Sequence, residues 1–508
     1  MAIRLSAFSE DNGATHGSVP AVSLNEVVVA IDAGTTGVRA FAVDASSTPR
    51  GWAYQEFTQH FPQPGWVEHD ASEIWTAVQA TLTGLLRKLP DTTVAAIGIT
   101  NQRETVVAWD RSTGRPLHRA IVWQDRRTAA RCDELAPEID RVRSKTGLVL
   151  DPYFSGSKME WLLRTTDMGA NPNLALGTID DWILWNLTGE HATDPSNASR
   201  TMLYDIVARG WDGALCALFG VPQRALAEVR PSSGRFGLVR EGALAGTPVS
   251  AILGDQQAAL FGQAALVPGM AKNTYGTGSF VLMNVGPTCP PPSEGLLTTV
   301  AWDLGRHGFA YALEGAVFVT GAAIQWLRDG LQIISEAAEI GPLAETITDT
   351  EGVYVVPAFT GLGSPWWDPY ARGTIVGLTR GVGRAHLARA VVESIAYQVR
   401  DVVDRMVAVS GTPLAELRVD GGASVMELLL RLQADQLGVA VSRPVIAETT
   451  ALGAAYAAGL AEGIWNSTDE VAAAWREDVR VLPTGTREGA DHAYKGWLRA
   501  VERSQHWA

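Results

Sequence analysis

The stretch VVVAIDAGTTGVRAFAVD, Val27 to Asp44, decides the fold: an apolar run, an acidic glycine-threonine turn, and a second apolar run. Read as strand, turn and strand, it makes a hairpin whose small turn residues let backbone N–H groups approach an anion. The Thr35 and Thr36 hydroxyls add donors without bulk. A single hairpin of this kind is ordinary structure in many folds. Near mid-chain, however, TYGTGSFVLMNVG repeats it, with Gly276 and Thr277 in the turn. Two such turns predict a nucleotide held between two related halves. Asp32, ending the first strand, would repel a phosphate directly, so its expected part is to hold a Mg²⁺ that bridges to the phosphate.

With 508 residues the chain exceeds one typical core, and two domains of roughly 250 residues are expected. At 46% apolar and 19% charged it has ample material for cores of that size. A formal net charge of −14, with no Lys/Arg stripe, excludes nucleic acid and an anionic membrane surface as partners. Cys132, Cys216 and Cys289 are far apart and lack zinc or disulfide spacing, which points to a reducing compartment. Residues 1–24 are polar and mixed in charge without an apolar core of signal-peptide length, and read as a flexible leader. No run reaches membrane-spanning length, so a cytoplasmic location is expected. The Pro268-Gly269 turn sets the boundary between domains at 25–265 and 266–508.

Strands and helices alternate through the first half. VAAIGIT (Val94–Thr100) is a buried-strand run, and Asp70 with Glu73 signals the start of a helix reaching about Leu86. The order strand, strand, helix, strand implies a mixed sheet flanked by helices, an α/β architecture. Later, a short strand Leu417–Asp420 ends at Gly421-Gly422, before a helix with Leu428, Leu429, Leu432 and Leu437 on one side. That glycine pair either lets a flat ligand ring approach the backbone or lets helix and sheet pack closely. TALGAAYAAGL (Thr450–Leu460) is a small-residue helix suited to close backbone packing.

The chemistry gathers at two further segments. In ILGDQQAALFGQ, Asp255 stands at a strand-to-helix junction, where a carboxylate serves either as an N-cap or, facing the cleft, as a general base. Phosphoryl transfer asks for positioning, charge stabilisation and one proton acceptor, and Asp32, the two turns and Asp255 would supply them. In ITNQRETVVAW, Arg103 and Glu104 leave a buried strand side by side. One donating and one accepting, they can grip vicinal hydroxyls. Trp123, Tyr153 and Phe280 would wall such a pocket against the carbon backbone of a small polyol.

The strings IDAGTTGVRA, GWVEHD, GITNQRET, IVWQDRRTA, TGLVLDPYFSGSK, NASRTML, GDQQAALFGQ, KNTYGTGSF, GLGSPWWDPYARG and RVDGGAS follow one another in unbroken order between about residues 27 and 500. Together they resemble the glycerol kinases of the FGGY carbohydrate kinase family. NQRET, GWVEHD and DPYFSG set that branch apart from xylulose, ribulose and gluconate kinases. The resemblance implies two actin/hexokinase-like (ribonuclease H-like) ATPase domains with a catalytic cleft between them. It implies ATP-dependent, Mg²⁺-assisted phosphorylation of glycerol to sn-glycerol 3-phosphate, with another small polyol or ketose, or a regulatory ATPase-fold protein, as alternatives. By motif match, Asp32 would organise Mg²⁺ while Thr35, Thr36 and Arg39 approach the transferred phosphate. Arg103, Glu104, Trp123, Tyr153, Asp255, Gln256 and Phe280 would form the glycerol site, with Asp255 as base. Gly276, Thr277, Gly321, Gln325, Gly422 and Met426 would hold ATP. Homodimeric and homotetrameric assemblies both stay open.

Three departures stand out. Ala33, Gly37 and Val38 replace a Gln and two Ser in the first hairpin, and Met426 stands where relatives commonly carry an adenine-reaching Asn. The loop Gly237–Val249 lacks the Gly-Gly…Arg pattern that binds fructose 1,6-bisphosphate in some relatives.

Overall fold

The computed structural model describes residues 25–508; the leader expected at 1–24 lies outside the described residues. The first hairpin forms as read: β1 (Glu26–Ala33) pairs antiparallel with β2 (Gly37–Asp44), which continues into β3 (Pro49–Glu56). β4 (Thr93–Asn101) lies parallel to β1 on its other side. Beyond it come β5 (Ser233–Leu238) and β6 (Pro248–Gly254), giving the sheet order β5-β6-β4-β1-β2-β3.

The second half repeats this path. β7 (Met270–Tyr275) and β8 (Ser279–Gly286) make the second hairpin, followed by β9 (Leu297–Asp303) and β10 (Phe309–Val317). β11 (Glu416–Asp420), β12 (Val441–Pro444) and β13 (Glu477–Val481) complete the sheet β9-β10-β8-β7-β11-β12-β13. β7 pairs antiparallel with β8 and parallel with β11, as β1 does with β2 and β4. The two sheets are therefore related halves. A smaller sheet around Val106–Asp110 and Leu174–Thr178 is built partly from two-residue strands, too short to leave a period in the sequence.

Helix α1 (Ala71–Leu86) begins where expected: the Asp70 carboxylate caps Ser72 N–H at 2.8 Å. Glu73 does not close a capping box but accepts from Thr58 N–H at 3.0 Å, tying the helix start to the preceding loop. α1 buries Ile74, Val78, Leu82 and Leu85 against the outer face of the first sheet. On the inner face, α2 (Asp255–Gly262) and α3 (Thr449–Glu462) pack together between the halves. Glycines permit this approach: a Cβ on Gly98 would run into the Ala454 carbonyl, and one on Gly453 into that of Ala258. The small-residue helix thus packs on the first sheet although its sequence lies in the second half.

Candidate active site

The site begins at the exit of β4. Glu104 there has φ +63°, a left-handed conformation that costs an L-residue on the order of 1 kcal/mol. That turn sets the Arg103 and Glu104 side chains, both almost fully buried, beneath the space between the halves. Gly254 leaves room for them, since a Cβ there would stand 2.7 Å from Arg103 Cδ. Arg103 Nη1 donates to Glu314 at 2.6 Å and to Gln257 at 3.1 Å, its Nη2 reaches Glu314 at 3.0 Å, and its Nε faces Asp255 at 3.2 Å. Arg200 Nε donates to Glu104 at 2.7 Å and Arg200 Nη2 to Glu314 at 3.0 Å. Two arginines and two glutamates thus form one buried network. Burial alone would raise the Glu314 carboxyl, but Arg103 and Arg200 overcome it and bring it down to about 2. Glu104 keeps a raised pKa because burial outweighs the same two cations there.

Asp255 is the first residue of α2, with Gly254 at the cap position. Its Oδ1 accepts from the neighbouring Gln256 N–H at 2.7 Å, and about 30% of its side chain stays exposed. Burial raises its pKa against the pull of Arg103 and Lys272, which suits a proton acceptor.

A cavity of about 860 Å³ opens above this network, lined by Trp123, Tyr153, Gln256, Thr274, Phe280 and Glu314 among others. Trp123 and Tyr153 meet edge to face at 5.6 Å, and Arg103 Nη2 lies 3.4 Å from Tyr153 Oη. Trp123 Nε1 donates to Thr35 Oγ1 at 3.0 Å, joining the first hairpin turn to the polyol wall. A second cavity, about 730 Å³, is lined by Gly276, Thr277, Gly321, Gln325, Gly422 and Met426, and meets the first at Gly276 and Thr277. All six residues expected to hold the nucleotide border that one space.

The two glycines at the end of β11 divide the alternatives left open by the sequence. Gly421, at φ +85°, packs so closely that a Cβ would stand 2.4 Å from the Tyr275 carbonyl. A Cβ on Gly422 would meet nothing within 4 Å, and this residue faces the nucleotide-sized cavity.

Asp32, Thr35, Thr36 and Arg39 line neither cavity. Thr36 Oγ1 is 3.4 Å from Tyr54 Oη, and Arg39 reaches Glu448 at 3.5 Å and lies 5.7 Å from the Trp52 ring centroid. The Asp32 backbone belongs to the sheet, but its side chain makes no hydrogen bond or ion pair among the described residues. Burial, then the nearby charge of Asp255, raises its pKa to about 7 while Arg39 opposes. A carboxylate held near a second one without a contacting cation fits a site for a divalent ion. Among the described residues no group of three or more His, Cys, Asp or Glu is placed to hold a metal ion.

Sequence reasoning missed Glu314, Arg200 and Lys272. For Glu314 and Lys272 the available signal was a lone charge inside a buried strand run, as in YALEGAV; Arg200, in a turn, offered none.

Two repeated sheets, a hairpin turn from each half and adjoining cavities define a two-domain phosphotransferase of the actin/hexokinase-like ATPase fold. The chain belongs to the FGGY family of carbohydrate kinases: that family's N-terminal domain model matches residues 27–262 and its C-terminal domain model residues 271–462. A Deinococcus radiodurans protein named glycerol kinase is 52% identical over 498 residues, covering 96% of this chain and 99% of the relative. One of the same name from Trichlorobacter lovleyi is 53% identical, covering 95% and 99%. A crystal structure of Plasmodium falciparum glycerol kinase with ADP superposes with a TM-score of 0.91 at 34% identity, over 94% of this chain and 98% of that one. A sugar kinase from Brucella ovis, at 24% identity and a TM-score of 0.86, shares the fold. Among the described residues no helix is long and apolar enough to cross a membrane.

Proposed function

We propose that this chain transfers the γ-phosphoryl group of ATP to glycerol, giving sn-glycerol 3-phosphate and ADP, in the cytoplasm. The observation that carries the reading is the Arg103–Glu104 pair beneath a cavity walled by Trp123, Tyr153 and Phe280, with Asp255 in contact with Arg103. A guanidinium and a carboxylate side by side suit vicinal hydroxyls, and aromatic faces suit a short carbon chain. The domain limits 25–265 and 266–508 belong to this reading, the polyol site drawn from the first and the nucleotide site from the second.

Asp255 takes the proton of the attacking primary hydroxyl as its oxygen bonds to the γ-phosphorus, and the bond from that phosphorus to the β-phosphate bridging oxygen breaks. Arg103 and Glu104 orient the other two hydroxyls. The N–H groups around Gly276 and Thr277, with Thr35, face the phosphates, and Gly321, Gln325, Gly422 and Met426 enclose the nucleoside. Thr36 and Arg39 would have to turn from Tyr54 and Glu448 to join them. Mg²⁺ held by Asp32 supplies neutralisation of the polyphosphate charge when bound.

An ADP-release assay over glycerol, dihydroxyacetone, erythritol, xylitol, xylulose and ribulose tests the substrate. Glycerol should show the highest kcat/KM; a pentulose ranking above it overturns the assignment.

A further inference from the structure

Behind the cleft sits a buried charge that the roles above leave unused. Lys272, on β7, is 0% exposed, and its Nζ donates to Gln256 Oε1 and, at 3.1 Å, to Thr274 Oγ1. Gln256 follows Asp255 on α2, so this contact joins the second-half hairpin to the helix carrying the proposed base. Gln256 and Thr274 both line the 860 Å³ cavity, whereas Lys272 stands behind them. Asp420, Asp255 and Glu314 act on Lys272 through their charge, yet no carboxylate among the described residues comes within ion-pair distance of it. Burial brings the ammonium down to about 8 against the pull of those three carboxylates, so it stays charged at neutral pH.

A lysine ammonium carries donors only. The glutamine amide beside it must therefore turn its oxygen toward Nζ, which settles an orientation that side-chain shape alone leaves ambiguous. The NH₂ corner is then directed away from Lys272, and among the described residues Gln256 Nε2 donates to no protein group.

We propose that Lys272 is a positioning residue for the polyol: it locks the Gln256 amide with its NH₂ group presented to the cleft, as a donor to a substrate hydroxyl oxygen. This inference rests on reading the cavity as the polyol site. It gives the neighbours Asp255 and Gln256 opposite parts, one accepting from the substrate and the other donating to it.

The test is a double-mutant cycle on kcat/KM for glycerol with Lys272→Met, Gln256→Met and both together. Each single change should lower kcat/KM by about tenfold, the scale of one lost hydrogen bond, mainly through KM for glycerol. The double variant should be no worse than the poorer single, because the second change removes a contact already lost. KM for ATP should stay within about twofold throughout, whereas a general disturbance of the cleft would move it as well. Lys272→Arg, which keeps a charged donor, should recover most of the loss and keeps the test open if Lys272→Met does not fold. Multiplying losses in the double variant, or wild-type kcat/KM in Gln256→Met, overturns the proposal. The wild-type enzyme is assayed first. No glycerol phosphorylation there removes the functional reading and this inference together, while an active wild type with an indifferent Gln256→Met removes the inference alone.

Discussion

Arg103 and Glu314, 211 residues apart, form a two-pronged buried pair, with Nη1 to Oε2 at 2.6 Å and Nη2 to Oε1 at 3.0 Å. One partner comes from the strand exit of the first half and the other from a strand of the second. The group proposed to grip the polyol is thus aimed by a carboxylate across the domain boundary. Nε of the guanidinium so held faces Asp255 at 3.2 Å, so Glu314 also fixes where the proposed base finds its neighbouring charge.

Glu314→Gln should therefore damage both folding and substrate binding. Removing one member of a buried pair typically costs about 3–5 kcal/mol, because the other charge is left uncompensated. Arg200 loses the same partner. A Tm lowered by several degrees, with KM for glycerol raised more than KM for ATP, is the expected result. An unchanged Tm would mean that Arg103 and Arg200 find other acceptors.

Asp255→Asn keeps the side-chain shape and the acceptor for Gln256 N–H but cannot take a proton. Turnover should fall by roughly 10²–10⁴-fold with a smaller change in KM for glycerol. Since Asp255 is not at the cap position of α2, a large Tm change is not expected. Near-wild-type kcat in the folded variant would assign Asp255 a structural part.

The two hairpins, the α1 boundary and the glycine pair could be read from the chain because each is a local pattern: apolar alternation, a capping carboxylate, a turn only glycine tolerates. The Arg103–Glu104 pair was readable for the same reason, as adjacent polar residues leaving an apolar run. Glu314, Arg200 and Lys272 were not, for each is one polar residue within a segment whose partners are distant in sequence. The orientation of Thr36 and Arg39 was equally hidden. Tyr54 and Glu448, which they face, come from elements with no motif in common with the hairpin.

A buried acid away from the cleft gives a pH prediction. Asp401 accepts from Tyr494 Oη at 2.5 Å, Trp497 Nε1 at 2.9 Å and Trp366 Nε1 at 3.2 Å. Burial nevertheless dominates these donors and raises its pKa from 3.8 to about 7. A folded-state pKa above the unfolded value means that the proton stabilises the fold. That contribution is complete below about pH 4 and is lost as the pH climbs through 7. Asp401→Asn keeps an amide oxygen for the two indole donors on Oδ2, turns its NH₂ toward Tyr494 Oη, which can accept, and removes the titration. Its Tm relative to wild type should therefore rise steadily between pH 4 and 7, and a constant difference across melts in that range would refute the assignment.

Met426 borders the nucleotide-sized cavity and packs near Gly341, where an added Cβ would come within 3.4 Å of its Cγ. A thioether can lie against a purine face but is a weak acceptor and no donor, so it does little to tell adenine from guanine. Met426→Asn should raise the ratio of kcat/KM for ATP over GTP, by about tenfold at most for one neutral hydrogen bond. The same residue is also the N-cap of the helix Glu427–Leu437, where it makes no side-chain cap. An Asn there could instead bond to the exposed helix N–H groups, adding roughly 0.5–2 kcal/mol of stability. The two roles compete for one side chain, and nucleotide kinetics together with thermal melts separate them. A raised ratio with little change in Tm places the new amide on the base. A raised Tm with an unchanged ratio places it on the helix and moves base selection elsewhere in the cleft.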